Sequence, residues 1–239
     1  MMNTATLNAQ RSVQTTKYRV LGAISSAHFL NDMMQSLILA LYPMLKGNYH
    51  LSFTQIGLLS LTYQITASVL QPLIGIVIDR HTVRHSLALG MGFTLMGLLV
   101  LSQAESYPYL LLAAGLVGMG SAIFHPESSR VARMASGGQH GLAQSIFQVG
   151  GNAGSASGPL LAALIVIPLG QSSLAWFSLA ALAAMLVLWQ VGNWSAAHRQ
   201  AAKQQSQMRT QPFSNKKTAY ILVVLMSLVI TKYMYVSAK

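Results

Sequence analysis

Six long apolar segments, most of them free of charge, fill the chain from Val20 to Gly192. A stretch of about 20 apolar residues is what a helix needs to cross a bilayer, and in lipid only helices and closed barrels satisfy their own backbone. The segments therefore predict an all-α membrane protein, a six-helix transmembrane bundle. The expected spans are Val20–Leu45, Ile56–Ile78, Ser86–Ala104, Tyr107–Arg130, Leu142–Ile167 and Leu174–Gly192. Turn-forming stretches separate them at Lys46-Gly-Asn, Arg80-His-Thr, Glu105-Ser-Tyr-Pro, Ser136-Gly-Gly and Pro168-Leu-Gly-Gln. A seventh apolar segment starts at Ala219 and meets the C-terminus at Lys239, so a truncated seventh span is expected.

Composition agrees with this division. Charged residues are 8% of the chain, against about 25% in a soluble domain. The net charge of +11 points to nucleic acid only if the basic residues share a surface. They do not. With the N-terminus cytoplasmic, the inside segments hold Arg11, Lys17, Arg19, Arg80, Arg84, Arg130, Arg133, Arg199, Lys203, Arg209, Lys216 and Lys217, whereas the opposite loops hold Lys46 alone. That asymmetry is the positive-inside pattern, and it accounts for the charge without nucleic acid. Four regions follow: a cytoplasmic tail 1–19, the six-span part 20–192, a basic cytoplasmic linker 193–218 and the partial span 219–239. The tail is polar and basic with no apolar core, so it does not read as a cleaved signal peptide. Cysteine is absent, which removes disulfides and thiolate chemistry.

Polar groups inside the spans are the candidate site, because ionisable side chains in a bilayer are costly. Span one carries Ser25, His28, Asn31, Asp32 and Gln35 at helical spacing on one face. His28 and Asp32 are candidates to exchange a proton; a static packing network is the alternative. Span four ends in His125-Pro126-Glu127-Ser-Ser-Arg130. Glu127 and Arg130, three residues apart, suit an ion pair, and Arg130 equally suits an anionic cargo; the residues leave both open. Glu127 joins Asp32 and His28 as a candidate for proton coupling. Span two adds Tyr63, Gln64, Ser68 and Gln71, and span five adds Gln144, Gln148, Asn152 and Ser155. Together with His125 these outline a polar path for cargo. Met33, Met34, Met91 and Trp176 read as packing or lipid-facing groups. On a second face of span five, Gly150, Gly154 and Gly158 recur every fourth residue, which lets another helix come close.

The chain resembles a known family at several of these places. Gly75-Ile-Val-Ile-Asp79-Arg80-His-Thr-Val-Arg84 is similar to the loop between spans two and three of the major facilitator superfamily, where it acts as a latch between two halves. Thr82 and Val83 stand where the family has glycine and a basic residue. Gly154-Ser-Ala-Ser-Gly158-Pro159 resembles the family's antiporter motif, with Ala162 and Ala163 in place of its last glycines. The stretches His28 to Leu37, Phe124 to Gly138 and Gly141 to Asn152 resemble the fosmidomycin-resistance branch of that superfamily. The resemblance implies a twelve-span, two-half, proton-driven exporter of the bacterial inner membrane. Its implied partners are the bilayer, protons and a small anionic drug, with fosmidomycin, a phosphonate, as a family substrate.

In that family cargo lies between two halves. This chain is accordingly expected to be an incomplete exporter that needs a separately supplied second half. Lys232, in the partial span, would face the cavity of a whole protein. No cofactor and no metal are assigned. An uptake carrier for a metabolite or sugar is the alternative transporter. An intramembrane zinc enzyme built on His28, Asp32, His125 and Glu127 is the alternative from another class, although the chain has no H-E-x-x-H pattern. A six-span assembly that dimerises in place of the missing half is a third.

Overall fold

The computed structural model describes residues 16–80 and 83–207, together with Lys217, Tyr220, Ile221, Val223, Val224, Ser227, Leu228 and Thr231. The described residues are helical throughout, apart from turns. They fall into two compact units, 1–198 and 199–239. The seventh span and Lys232 lie outside what can be described beyond those scattered helical positions.

The first unit is a helical bundle. Its helices are α1 (Tyr18–Ala40), α2 (Tyr42–Asn48), α3 (Phe53–Gln64), α4 (Leu70–Arg80), α5 (Ser86–Ser102), α6 (Tyr107–Met134), α7 (His140–Leu161), α8 (Ile167–Leu169) and the start of α9 (Leu174–Gln207). They occupy all six segments read from the sequence. Among the described residues, four stretches are long and apolar enough to cross a membrane on those criteria alone: Phe53–Ile78, Tyr107–Met134, His140–Leu169 and Gln171–Arg199. Helix α5 is apolar but has 17 residues. Helix α1, at 23 residues, is diluted by its polar stripe.

Several boundaries move for identifiable reasons. The first span does not run unbroken to Leu45. It interrupts at Leu41 and restarts as α2, because Pro43 stands in the first turn of the new helix, where its missing N–H costs nothing. Helix α3 starts at Phe53, three residues early, because Ser52 and Gln55 form a reciprocal capping box. Helix α6 runs past Arg130 to Met134, and α9 runs past Gly192 to Gln207, into the stretch expected as a linker.

Two π-helical turns interrupt the spans, at Ile65–Val69 and Ala162–Val166. Each contains the carbonyl that a downstream proline cannot bond: Ser68 for Pro72 and Leu164 for Pro168. A proline four residues on removes that hydrogen bond and crowds the carbonyl, so the turn widens.

Packing is dominated by two seams, α1 against α7 and α5 against α6. On α1 and α2, Leu21, Ile24, Met34, Leu37, Leu41 and Leu45 are fully buried, as is Met91 on α5. Trp176 faces outward. The α1–α7 seam is lined by the glycine row. A Cβ on Gly150 would collide with the carbonyl of Ser25, one on Gly154 with the carbonyl of Phe29, and one on Gly158 with Ser36 Oγ. The backbones can meet only because these positions lack side chains.

Hydrogen bonds clasp the bundle at both ends. At one end the Tyr49 hydroxyl lies between the Ala104 carbonyl and Gln171 Oε1, and Gln171 Nε2 donates to Leu101 O at 2.7 Å. At the other, the Lys17 N–H donates to Ala135 O at 2.8 Å and Thr16 Oγ1 to Ser136 O at 2.9 Å. Substituting Gly154→Val should therefore cost about 1–3 kcal/mol through overpacking. A lowered melting temperature of the detergent-solubilised protein would register it. Gly57→Ala, on an open helix face, should not lower it, since alanine favours a helix over glycine.

Candidate functional site

The close approach of α1 to α7 sets the chemistry of the interior. His28 is 2% exposed, and its imidazole stacks on the Phe147 ring with centroids 4.0 Å apart and planes 15° from parallel. The space for that imidazole exists because position 151 is glycine; a Cβ there would run into the ring. His28 Nδ1 lies 2.8 Å from the backbone carbonyl of Phe147. A carbonyl only accepts, so Nδ1 carries a proton and donates it.

The consequence falls on the other ring nitrogen. His28 Nε2 is 3.2 Å from Asp32 Oδ2. In a neutral ring protonated at Nδ1, Nε2 offers a lone pair, and a carboxylate oxygen offers another. Two acceptors at this distance repel unless a proton lies between them. The contact is thus either imidazolium with carboxylate or imidazole with carboxylic acid, and in both cases the pair holds one proton beyond the Nδ1 proton.

Asp32 is braced from two other sides. Asn31 Nδ2 donates to Oδ1 at 3.1 Å, and His125 Nε2 of α6 stands 3.7 Å from the same oxygen. The rings of His28 and His125 meet edge-on with centroids 5.3 Å apart. An open cavity of about 530 Å³ adjoins this cluster. Its wall is made by His28, Asp32, His125 and Ser129 on one side and Ser145, Phe147, Gln144 and Gln148 of α7 on the other. Gln144 Nε2 donates to Ser129 Oγ at 2.7 Å, bridging α7 to α6 across the cavity edge.

The remaining sequence candidates divide into three groups. Gln35 is buried below Asp32, where its Oε1 accepts from Tyr63 (2.5 Å) and Ser121 (3.3 Å), tying α1 to α3 and α6. Gln64 and Asn152 are exposed; Gln64 accepts from Ser68 at 3.5 Å and Asn152 from Gln148 at 3.2 Å. Glu127 is 1% exposed and accepts from Arg130 at 3.1 Å. Neither residue lines the cavity, and Glu127 is outside the His28–Asp32–His125 cluster. The four-residue zinc set read from the sequence is therefore not assembled; three of its members are.

In the latch motif, Gly75 stands on an open face and Arg84 Nε donates to Asn193 Oδ1 at 2.9 Å. The side chains of Asp79 and Arg80 lie outside the described residues. His85 shares Asn193 with Arg84 and stacks on Trp189 at 3.7 Å, a clasp between the loop and α9. Pro159 lies inside α7, directly after Gly158.

Sequence reasoning missed Ser129, Ser145, Phe147 and the Asn193 clasp. Ser129 had a signal, four residues after His125 on one helix. Phe147 had none, since its part is played by a backbone carbonyl and a ring face.

The Major Facilitator Superfamily description matches residues 24–238. The chain belongs to that superfamily. It is a multi-pass membrane protein of a transporter family. It is 52% identical over 224 residues to the Fosmidomycin resistance protein of Escherichia coli (strain K12), covering 93% of this chain and 55% of that protein. It is 41% identical over 216 residues to the Uncharacterized MFS-type transporter YfnC of Bacillus subtilis (strain 168), covering 90% and 52%. The resemblance read from spans one, four and five is thereby borne out. The chain spans about half the length of these curated relatives. Among solved structures, tetrameric PepTSo2 superposes with a TM-score of 0.59 at 17% identity, over 91% of this chain and 48% of that one, which shows the shared fold alone.

The tautomer argument is open to direct observation. In ¹⁵N-histidine-labelled protein at neutral pH, the His28 Nδ1 resonance should report a protonated nitrogen. A neutral His28 protonated at Nε2 would contradict it.

Proposed function

We propose that this chain is the proton-handling half of an efflux transporter that exports a small anionic drug of the fosmidomycin type across the bacterial inner membrane. The observation that carries the reading is the His28–Asp32 contact. Its geometry suits a shared proton, and it sits on the wall of an open polar cavity inside a superfamily bundle. A proton held between two groups, with a third, His125, against the same carboxylate, can move with small changes in helix position.

Asp32 is the coupling carboxylate, His28 its proton partner and His125 the cavity-side relay. Glu127, buried against Arg130, locks the inner end of α6. Cargo meets amide and hydroxyl donors, Gln144, Gln148, Ser129 and Ser145, that suit anionic oxygens. The distribution of Lys and Arg favours a cytoplasmic N-terminus. Transport in this reading needs a second six-span half, because cargo of such carriers lies between two halves that rock against each other.

A drug-sensitive, efflux-deficient bacterium expressing this chain with a second half supplied should survive fosmidomycin. Asp32→Asn should return survival to the empty-vector level with unchanged protein in the membrane, whereas Gln64→Ala should change it less than about twofold, as expected for an exposed residue outside the cavity. Resistance retained in Asp32→Asn would overturn the coupling role. No resistance from the unaltered chain with its second half would overturn the cargo. Uptake of a sugar or metabolite by the same cells would favour an importer.

A further inference from the structure

We propose that His28, Asp32 and His125 form a binding site for a divalent late transition-metal ion of the zinc, cobalt or nickel class, with open coordination positions facing the cavity. This goes beyond the transport reading and departs from the sequence-based assignment of no metal.

The donor atoms come from two helices and converge. One ligand atom from each of His28, Asp32 and His125 lies within 4.8 Å of the other two. Zinc bonds of about 2.0–2.2 Å put tetrahedral ligands roughly 3.4 Å apart. His28 Nε2 is 3.2 Å from Asp32 Oδ2 and His125 Nε2 is 3.7 Å from Asp32 Oδ1, so each imidazole already stands near that distance from one oxygen of the carboxylate. His125 is the more exposed imidazole.

The surroundings supply what a metal site needs beyond its ligands. A metal-bound histidine characteristically donates its other N–H to a carbonyl or carboxylate, which fixes the tautomer and the ring. His28 does this to Phe147 O, and the stacked Phe147 ring holds the imidazole plane. Asn31 Nδ2 does the equivalent for Asp32. His28 Nε2 is thus already aimed at the carboxylate, and a metal ion there would take the place of the proton between them.

Chemistry sets the class of ion. Two imidazoles and one carboxylate favour zinc, nickel, cobalt or ferrous iron over magnesium or calcium, which prefer all-oxygen shells. Three protein ligands leave at least one position, and the adjoining cavity lets water or an anionic oxygen reach it.

The test uses the purified full chain in detergent micelles, titrated with ZnCl₂ against a chromophoric chelator. One equivalent should bind, MgCl₂ at the same concentration should not compete, and His28→Gln and His125→Gln should each weaken binding by about tenfold or more. His50→Gln and His198→Gln, at exposed histidines, should leave it unchanged. CoCl₂ gives a reading on the unaltered protein that depends on no variant folding. Strong visible bands of four- or five-coordinate cobalt are expected. Absence of binding, binding indifferent to both ligand variants, competition by magnesium, or the weak spectrum of hydrated cobalt would each overturn the site. None of these outcomes depends on which cargo is carried.

Discussion

Everything polar in this bundle depends on how closely α1 and α7 approach. The glycine row at 150, 154 and 158 lets the two backbones touch at Ser25, Phe29 and Ser36–Leu37. In a bilayer there is no hydrophobic force to press helices together, since lipid tails are as apolar as leucine; close van der Waals contact must do that work. With larger residues in the row, His28 would stand away from Phe147. Its Nδ1 would lose the carbonyl, and the ring could present either nitrogen to Asp32. The seam therefore determines a tautomer, and the tautomer determines what the His28–Asp32 contact is able to hold.

A buried carboxylate is expensive in an apolar medium unless charge and hydrogen bonds compensate it. The bundle treats its two interior acids differently. Glu127 is sealed at 1% exposure with Arg130 three residues on, an arrangement that neutralises charge and keeps the residue from the cavity. Asp32 keeps some access, at 16% of its side chain, and faces two imidazoles whose charge can change. An arginine partner is permanent; a histidine partner is conditional. In the proposed function, that contrast separates a lock from a site of exchange.

The clasps at the two ends frame this centre. Tyr49 and Gln171 gather four hydrogen bonds around the carbonyls of Leu101 and Ala104. Asn193 gathers Arg84 and His85 at the opposite end. Gln171 meets backbone carbonyls at a helix end, where acceptors have no partner within their own helix, whereas Asn193 accepts from two side chains. The π turns at Ile65–Val69 and Ala162–Val166 add local slack to the spans with the largest exposed faces, those that run Phe53–Ile78 and His140–Leu169.

The apolar periodicity, the lysine and arginine asymmetry and the helical spacing of polar residues were sufficient by themselves for the membrane class, the helical segments and the candidate face of α1, because each depends on local chemistry. They were also enough to pair His28 with Asp32, which share one helix four residues apart. What they left undecided was which of two acids would meet the histidines. Glu127 and His125 are two residues apart on α6, so they point to different sides, and only the placement of α6 against α1 sends His125 to Asp32 and Glu127 away from it. The role of the Phe147 carbonyl was equally hidden, since every residue has one and sequence carries no mark of which will be used. Helix faces are a property of the chain; which faces meet, and therefore which polar groups are brought together, is decided by packing.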